Sequence, residues 1–268
     1  MTQRVPQASE QFENPRVILL AGRDDTTDIV ANYLHQSVPN LIVITEDPPS
    51  RVTIARRRAK RLGWITAAGQ VLFVVLLFPL LRRQGRRRRE AILSEAGLDG
   101  MPFGDVHRVT SVNSSESTAL LKEFDPALVV VNGTRIISSA VLESVDCPFI
   151  NTHAGITPLY RGVHGGYWAL VSGRPEEVGT TIHLIDQGID TGPVLVRVYF
   201  DTAPSDSIAT YPYLHLAAGL PSVVSQVDRA LKGEEPLVVQ ETIREGSHLF
   251  AHPTLWGYLR EWLVRGVR

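Results

Sequence analysis

Asn151 and His153 stand two residues apart at the end of a short apolar run, within the stretch FINTHAGITPLYRG spanning 149–162. Successive side chains of a strand point to opposite faces, so the amide and the imidazole share one face and Thr152 takes the other. A donor amide beside a titratable ring suits a group that develops negative charge, such as the oxygen of a tetrahedral intermediate. The same three residues also describe a capped turn with a hydrogen-bonded core histidine, and alone they do not choose. A second stretch, TTIHLIDQGIDTGPVL at 180–195, sets Asp190 in a tight loop bracketed by Gly188 and Gly192. Glycines let such a loop approach a flat ligand closely. An aspartate there can orient an imidazole, favour its charged form and relay a proton through a water. It also fits a hairpin whose Asp caps its own backbone. None of the histidine spacings suggests zinc, and the one cysteine, Cys147, leaves no internal disulfide or multi-thiolate site.

These residues need strands to hold them, and the pattern supplies them. PRVILLAGRDDTTDIVANYLHQ reads as a buried strand, a polar turn and a helix; NLIVITED, at 40–47, is a second buried strand ending in carboxylates. DVHRVTSV is a short third strand, and SSESTALLKEF a helix with an imperfect capping box opening at Ser115. DPALVVVNGT is a further buried strand, SSAVLESV a short helix, CPFINTH a strand, and RGVHGGYWALVSG a helix. EVGTTIHLI and GPVLVRVYF form an antiparallel pair around DQGIDTG. YPYLHLAAGLPSVVSQVDRALKG is a long helical pattern that Pro221 kinks or divides. Alternation of buried strands with helices predicts an α/β fold with an open, mostly parallel, doubly wound sheet. In the tail, Leu255, Tyr258, Leu259, Trp262 and Leu263 fall at helical spacing, as a helix closing over the core or meeting a partner subunit would have them.

One segment breaks the rhythm. The apolar block Leu62 to Leu81 lies between arginine clusters, and the span from Arg56 to Arg89 carries eleven Lys and Arg residues and no acidic one. By length the block nearly qualifies as a membrane span. Crossing would put the strands before and after it on opposite sides of a bilayer, and positive flanks at both ends set no orientation. It is therefore read either as an interfacial helix whose arginines meet anionic headgroups, or as a helical insertion packed on the body or on a partner with its arginines solvated. Removal of 51–89 is expected to leave a foldable core, whereas an unfolded product would favour the packed helix over an appendage.

The chain has 268 residues, 44% hydrophobic and 21% charged, and a formal net charge of −1. Such a balance is that of a globular protein and supplies no global field for nucleic acid. The polar start, MTQRVPQASEQFENPR, has no apolar core of a secretory signal, so a cytoplasmic location is expected.

Taken together, N-x-H, then P-x-Y-R-G, then a histidine, then D-x-G-x-D-x-G resemble the folate-dependent formyltransferase family of the glycinamide ribonucleotide, methionyl-tRNA and sugar N-formyltransferases. The resemblance runs from about Arg16 to Gly233, apart from the arginine-rich insertion. It implies a formyltransferase-like, Rossmann-type domain over 16–235 containing the insertion 51–92, with a polar extension 1–15 before it and a tail 236–268 carrying an amphipathic helix. It implies 10-formyltetrahydrofolate as cosubstrate, with Asn151, His153 and Asp190 catalytic. The pterin site would be built from backbone at Arg135, Ile136 and Ile137 and at Asp186, Gln187, Gly188 and Ile189. His164 and His183 also fall on family positions, where a helix-start polar residue and a core imidazole are equal alternatives. Where the family has H-P-S-L-L-P, this chain reads HAGITP, with Gly155 in place of the serine.

For the acceptor, Asp24 and Asp25 after the first strand repel a phosphate at that helix N-terminus, against glycinamide ribonucleotide. The residues after the long helix are too few for a tRNA-binding barrel. A small-molecule amine is expected, an amino sugar linked to nucleotide or lipid in envelope polysaccharide synthesis, with no nucleic-acid partner. An anionic membrane surface is an open partner for 56–89, which would place the protein peripherally on the inner face of the cytoplasmic membrane. The oligomeric state is left open. Glycinamide ribonucleotide or methionyl-tRNA formyl transfer, hydrolysis of formyltetrahydrofolate and plain folate binding are the competing readings.

Overall fold

The apolar runs become the middle of a sheet. In the computed structural model, which describes residues 15–239 and 246–268, β1 (Val17–Gly22) is buried at every residue. Strands covered on both faces must be apolar on both, and β1 is sandwiched in this way. Ile18 and Leu20 face Leu121 and Val141 on one side; Leu19 and Val130 face Ile29, Leu34, Leu220 and Val223 on the other.

In chain order the strands are β1, β2 (Leu41–Glu46), β3 (His107–Val109), β4 (Leu128–Asn132), β5 (Phe149–His153), β6 (Tyr160–Gly162), β7 (Gly179–Leu184), β8 (Val194–Tyr199) and β9 (His248–Phe250). Seven of them form one sheet in the order β3-β2-β1-β4-β5-β7-β8. The pairs from β3 through β5 are parallel, and β7 and β8 close the edge antiparallel. Chain order reverses direction beside β1, and the crevice at such a switch point is where open α/β sheets hold ligands. β6 and β9 make a separate parallel ribbon, which the sequence did not suggest.

The helices are α1 (Asp25–Ser37), α2 (Arg51–Leu62), α3 (Trp64–Leu72), α4 (Phe78–Gln84), α5 (Arg86–Glu95), α6 (Ser115–Phe124), α7 (Ser139–Leu142), α8 (Gly165–Val171), α9 (Tyr211–Leu231) and α10 (Leu255–Arg265). Two details differ from the sequence pattern. The cap of α6 is Ser114, whose Oγ accepts from the Ser117 N–H at 3.2 Å, so the box begins one residue earlier than Ser115. Pro221 neither divides nor ends α9, which runs unbroken for 21 residues.

The arginine-flanked block is a continuous helix from Trp64 to Gln84, with a π turn at Phe73–Leu77 joining α3 to α4. One flank is packed on the protein. Phe73 is fully buried, its ring 5.2 Å from that of Tyr258 in α10, and Leu81 joins Ile208 and Tyr211 in the same cluster. Gly69 approaches the Trp256 ring so closely that any side chain there would collide. Gln70 Nε2 donates to the His252 carbonyl at 2.8 Å. The opposite flank, with Trp64, Ile65, Val75, Leu76 and Leu80, is exposed.

The arginines divide in the same way. Arg82 and Arg89 both reach Asp25 Oδ2, at 2.6 and 3.1 Å, and Arg88 grips the buried carboxylate of Asp206 at 2.8 Å. These three tether the segment, where solvated or lipid-facing side chains were expected. The polar extension 1–15 lies, apart from Pro15, outside the described residues, as do the side chains of Arg57 and Arg58.

Candidate active site

The carboxyl ends of β4 and β5 and the β7–β8 loop enclose a cavity of about 490 Å³. Asn151, His153 and Asp190 all line it. β5 brings the first two there in the extended register expected, and the antiparallel pairing of Asn151 with His183 sets β7 directly beside them.

Asn151 Nδ2 lies 3.2 Å from His183 Nε2. The other nitrogen of His183, Nδ1, lies 2.7 Å from the Leu184 carbonyl, which can only accept. Nδ1 therefore carries the proton, Nε2 is a lone pair, and the Asn151 amide donates to it. Burial pushes the His183 pKa below the ordinary value, which keeps that acceptor neutral. One N–H of Asn151 is thereby fixed, and the carboxamide is held edge-on to the cavity.

His153 is buried, its Nε2 donating to the Tyr160 carbonyl at 2.7 Å. Its Nδ1 faces Asp190 Oδ2 at 3.5 Å. The ring is thus held between β6 and the aspartate, whereas the sequence reading aimed it with Asn151 at one oxygen. The departure at Gly155 belongs to the same arrangement: a Cβ there would stand 2.6 Å from the Tyr160 carbonyl and 3.0 Å from His153 Nε2. The His153–Tyr160 contact fills the space a serine would need.

Asp190 sits at the hub. Its φ of 52° is left-handed, a region that costs a residue other than glycine about 1 kcal/mol or more and that clusters at working sites. Oδ2 accepts the Gly162 N–H at 2.8 Å, and Oδ1 lies 3.8 Å from His183 Nε2. The neighbouring Ile189 carbonyl is held by Arg161 at 3.1 Å. β6 thus secures both His153 and the Asp190 loop.

Of the expected pterin-contact residues, Arg135, Ile136, Ile137, Asp186, Gly188 and Ile189 line the cavity. Gln187 is exposed and does not. Asp186 accepts from the Gly188 N–H and the Thr191 hydroxyl, at 2.9 and 2.8 Å, so its side chain shapes the loop. The Arg135 guanidinium turns away, to the Asp47 carbonyl at 2.7 Å and the Glu46 carboxylate at 2.5 Å, leaving its backbone on the cavity side. Glu46 was missed by the sequence reading. Buried at the end of β2, it accepts from the backbone N–H groups of Arg135 and Val112 at 2.6 and 3.0 Å, fixing the loop after β4. A carboxylate ending an otherwise apolar strand was its only signal.

His164 caps the start of α8 with φ 60° and lines the cavity. Its Nε2 lies 3.0 Å from His252 Nδ1, and its ring is 6.3 Å from that of Phe78 in α4. The cavity wall therefore touches the apolar insertion. Among the described residues, no group of three or more His, Cys, Asp or Glu is arranged for a metal.

Residues 82–215 match the formyl transferase family model. A methionyl-tRNA formyltransferase of Pelotomaculum thermopropionicum is 28% identical over 183 residues, 67% of this chain and 57% of that protein. The chain thus spans little more than half of that relative's length. In fold it is similar to the phosphoribosylglycinamide formyltransferase of Anaplasma phagocytophilum, with TM-score 0.54, 18% identity, and 89% and 98% of the two chains covered. It is also similar to the N-formyltransferase of Helicobacter canadensis solved with folinic acid and dTDP-3-aminofucose, with TM-score 0.50, 17% identity, and 87% and 70% covered. The family model reaches across half of the sequence and includes β5, β7 and their loop: the chain belongs to the formyltransferase family.

Proposed function

We propose that the protein transfers the formyl group of 10-formyltetrahydrofolate to a primary amine, and that the amine is carried on a small molecule, an amino sugar linked to nucleotide or lipid. The observation that carries this reading is the convergence of Asn151, His153, His183 and Asp190 on one cavity, whose lining also includes apolar side chains and the backbone of the β4 and β7–β8 loops. A volume of about 490 Å³, with Ile136, Ile137 and Ile185 beside the backbone of the β4 and β7–β8 loops, suits a flat, partly polar heterocycle. In the Helicobacter canadensis enzyme the solved ligands are a folate and an amino sugar nucleotide.

The steps follow from where the groups stand. The amine nitrogen attacks the formyl carbon, the C–N bond forms and the carbonyl oxygen becomes an oxyanion. The second N–H of Asn151, whose first is occupied by His183, donates to that oxygen. A donor fixed beforehand stabilises the charge without reorganisation and is worth about 10² to 10³ in rate. Asp190 takes the proton of the attacking amine through a water, and His153, whose Nδ1 lies 3.5 Å from Oδ2, holds the carboxylate in place. Collapse breaks the bond to N10 of the folate, which takes up, through the same water, the proton that Asp190 received.

For the acceptor, the turn after β1 supports exclusion of a phosphate. Asp24 Oδ1 already accepts from the Thr26 and Thr27 N–H groups at 2.9 and 3.2 Å, filling the α1 N-terminus with an internal anion. Methionyl-tRNA is the second reading, favoured by the sequence relatives. The catalytic machinery would work in the cytoplasm, with the 56–89 segment at the inner face of the membrane. The test is an assay of donor consumption by the full chain with three amines: an amino sugar nucleotide, glycinamide ribonucleotide and methionyl-tRNA. Formylated amino sugar is the expected product. Formylated tRNA alone would reassign the acceptor; formate without any amine would make the protein a hydrolase; no consumption of donor would overturn the reading.

A further inference from the structure

The apolar helix and the C-terminal helix leave bare faces beside each other. Trp64, Ile65, Val75, Leu76 and Leu80 are 54–78% exposed, although their helix is held along its inner flank by Phe73, Gln70 and Gly69. On α10, Tyr258 and Glu261 are buried while Leu263 and Val264 are 82% and 70% exposed and Trp256 and Trp262 more than 40%. The two helices are in contact at Gly69 and Trp256 and at Phe73 and Tyr258. Monomers in water rarely keep so many large apolar side chains bare and adjacent; such a surface marks an interaction site.

Charge decides the occupant. Arg56, Lys60 and Arg61 are exposed before the apolar stretch, and Arg83 and Arg87 after it. No acidic residue lies anywhere from Arg51 to Arg89. A second copy of the chain laid on this face would set cationic cluster against cationic cluster, in either direction of the helices. A partner that is apolar within and anionic at its edge fits both ends at once, and that describes a bilayer with acidic headgroups. Crossing the bilayer is excluded by the packing, since Phe73 and Leu81 would have to leave the core.

We infer that the outer faces of the Trp64–Gln84 helix and α10 together form one platform that seats the protein on an anionic membrane surface. Through Phe78 against His164, the platform also touches the wall of the catalytic cavity. The inference deepens the location given above and rests on that reading only for its bearing on the acceptor. α10 is the new element: the sequence alone placed it over the core or at a dimer contact.

Flotation of the full chain with vesicles of phosphatidylcholine containing phosphatidylglycerol tests it, with phosphatidylcholine alone as comparison. The protein is expected to float with the mixed vesicles, and intrinsic tryptophan emission to be quenched by brominated acyl chains. Leu263→Glu on α10, and separately Val75→Glu, should abolish flotation while circular dichroism stays as in the wild type. Arg83→Gln and Arg87→Gln should each weaken binding about fivefold. Protein left in solution with anionic vesicles at low salt would overturn the inference. So would a dimer, dispersed by Val75→Glu, that ignores vesicles, for the face would then belong to a second copy. Full binding by Leu263→Glu would remove α10 from the platform and overturn the inference as stated. Formyl transfer to a soluble amino sugar nucleotide, measured without vesicles on the same preparation, reports separately on the catalytic reading.

Discussion

Asp190 shows how much one residue is asked to do. It holds a left-handed backbone, ties β6 through the Gly162 N–H, and faces both His153 and His183. Asparagine adopts the same backbone region readily and keeps an acceptor for the Gly162 N–H, but has no charge and takes no proton. Asp190→Asn is therefore expected to melt within about 1 kcal/mol of the wild type while turnover falls about 10²- to 10⁴-fold. Turnover within threefold of wild type would show that the carboxylate moves no proton. His183 is a positioning residue in this scheme, because it acts through Asn151. Asn151→Ala should cut turnover about 10²- to 10³-fold, and His183→Ala should cut it less, with little change in KM for the folate. The double variant should be scarcely worse than Asn151→Ala, because neighbours that work as a unit do not add. A full product of the two losses would mean the residues act independently.

At the scale of elements, α9 carries His215 into the space between β7 and α8, against Gly166 and edge-on to the Phe200 ring at 5.0 Å. Burial, with a smaller contribution from the nearby His153, pushes its pKa down to about 3. The sign follows. The folded chain keeps this ring neutral where the unfolded chain protonates it, so its contribution is whole above about pH 6.5 and shrinks as the pH falls. The loss is about 1.4 kcal/mol per pH unit between about 6.5 and about 3. Denaturant midpoints measured across that range should fall steeply for the wild type and less steeply for His215→Leu; equal slopes would refute the assignment. How α9 takes this position was only half legible in the sequence. The buried runs VILLA, VVV and FI gave the central strands, since nothing else apolar and short enough to be a strand stands there. The TTIHL and VLVRVY pair was legible because its partners are neighbours in the chain. β6 with β9 was not, because three-residue strands far apart in sequence leave no periodic trace. Nor were the inward arginines: Arg82, Arg88 and Arg89 look like any other in RRQGRRRR, and only Asp25 and Asp206, distant in sequence, single them out. In the site, the N-x-H and D-x-G-x-D spacing revealed the catalytic candidates, while Glu46, which bonds backbone across the crevice, showed only as a carboxylate at a strand end, with nothing local to name its partners.

The whole molecule is arranged so that its odd segment is part of its core. Read from sequence, the block between the arginine clusters is removable. In the folded chain its inner flank supplies Phe73 and Leu81 to the cluster that contains Tyr167, Ile208, Tyr211 and Tyr258, and Arg82, Arg88 and Arg89 hold Asp25 and Asp206. Excising 51–89 would uncover that cluster and leave a carboxylate buried without its cation, a loss of several kcal/mol at Asp206 alone. It would also remove the first residues of the stretch matched by the family model. The full chain offers the sharper measurement. Phe73 is fully buried with two aromatic neighbours, Phe78 at 5.9 Å and Tyr258 at 5.2 Å between ring centroids. Truncation at such a site costs about 3 to 5 kcal/mol, the transfer of the ring plus the cavity it leaves. Phe73→Ala should therefore melt far below the wild type by circular dichroism, whereas Val75→Ala, two residues on and facing outward, should change little. If Phe73→Ala melted like the wild type, the helix would be an appendage after all, and the expectation drawn from sequence would stand.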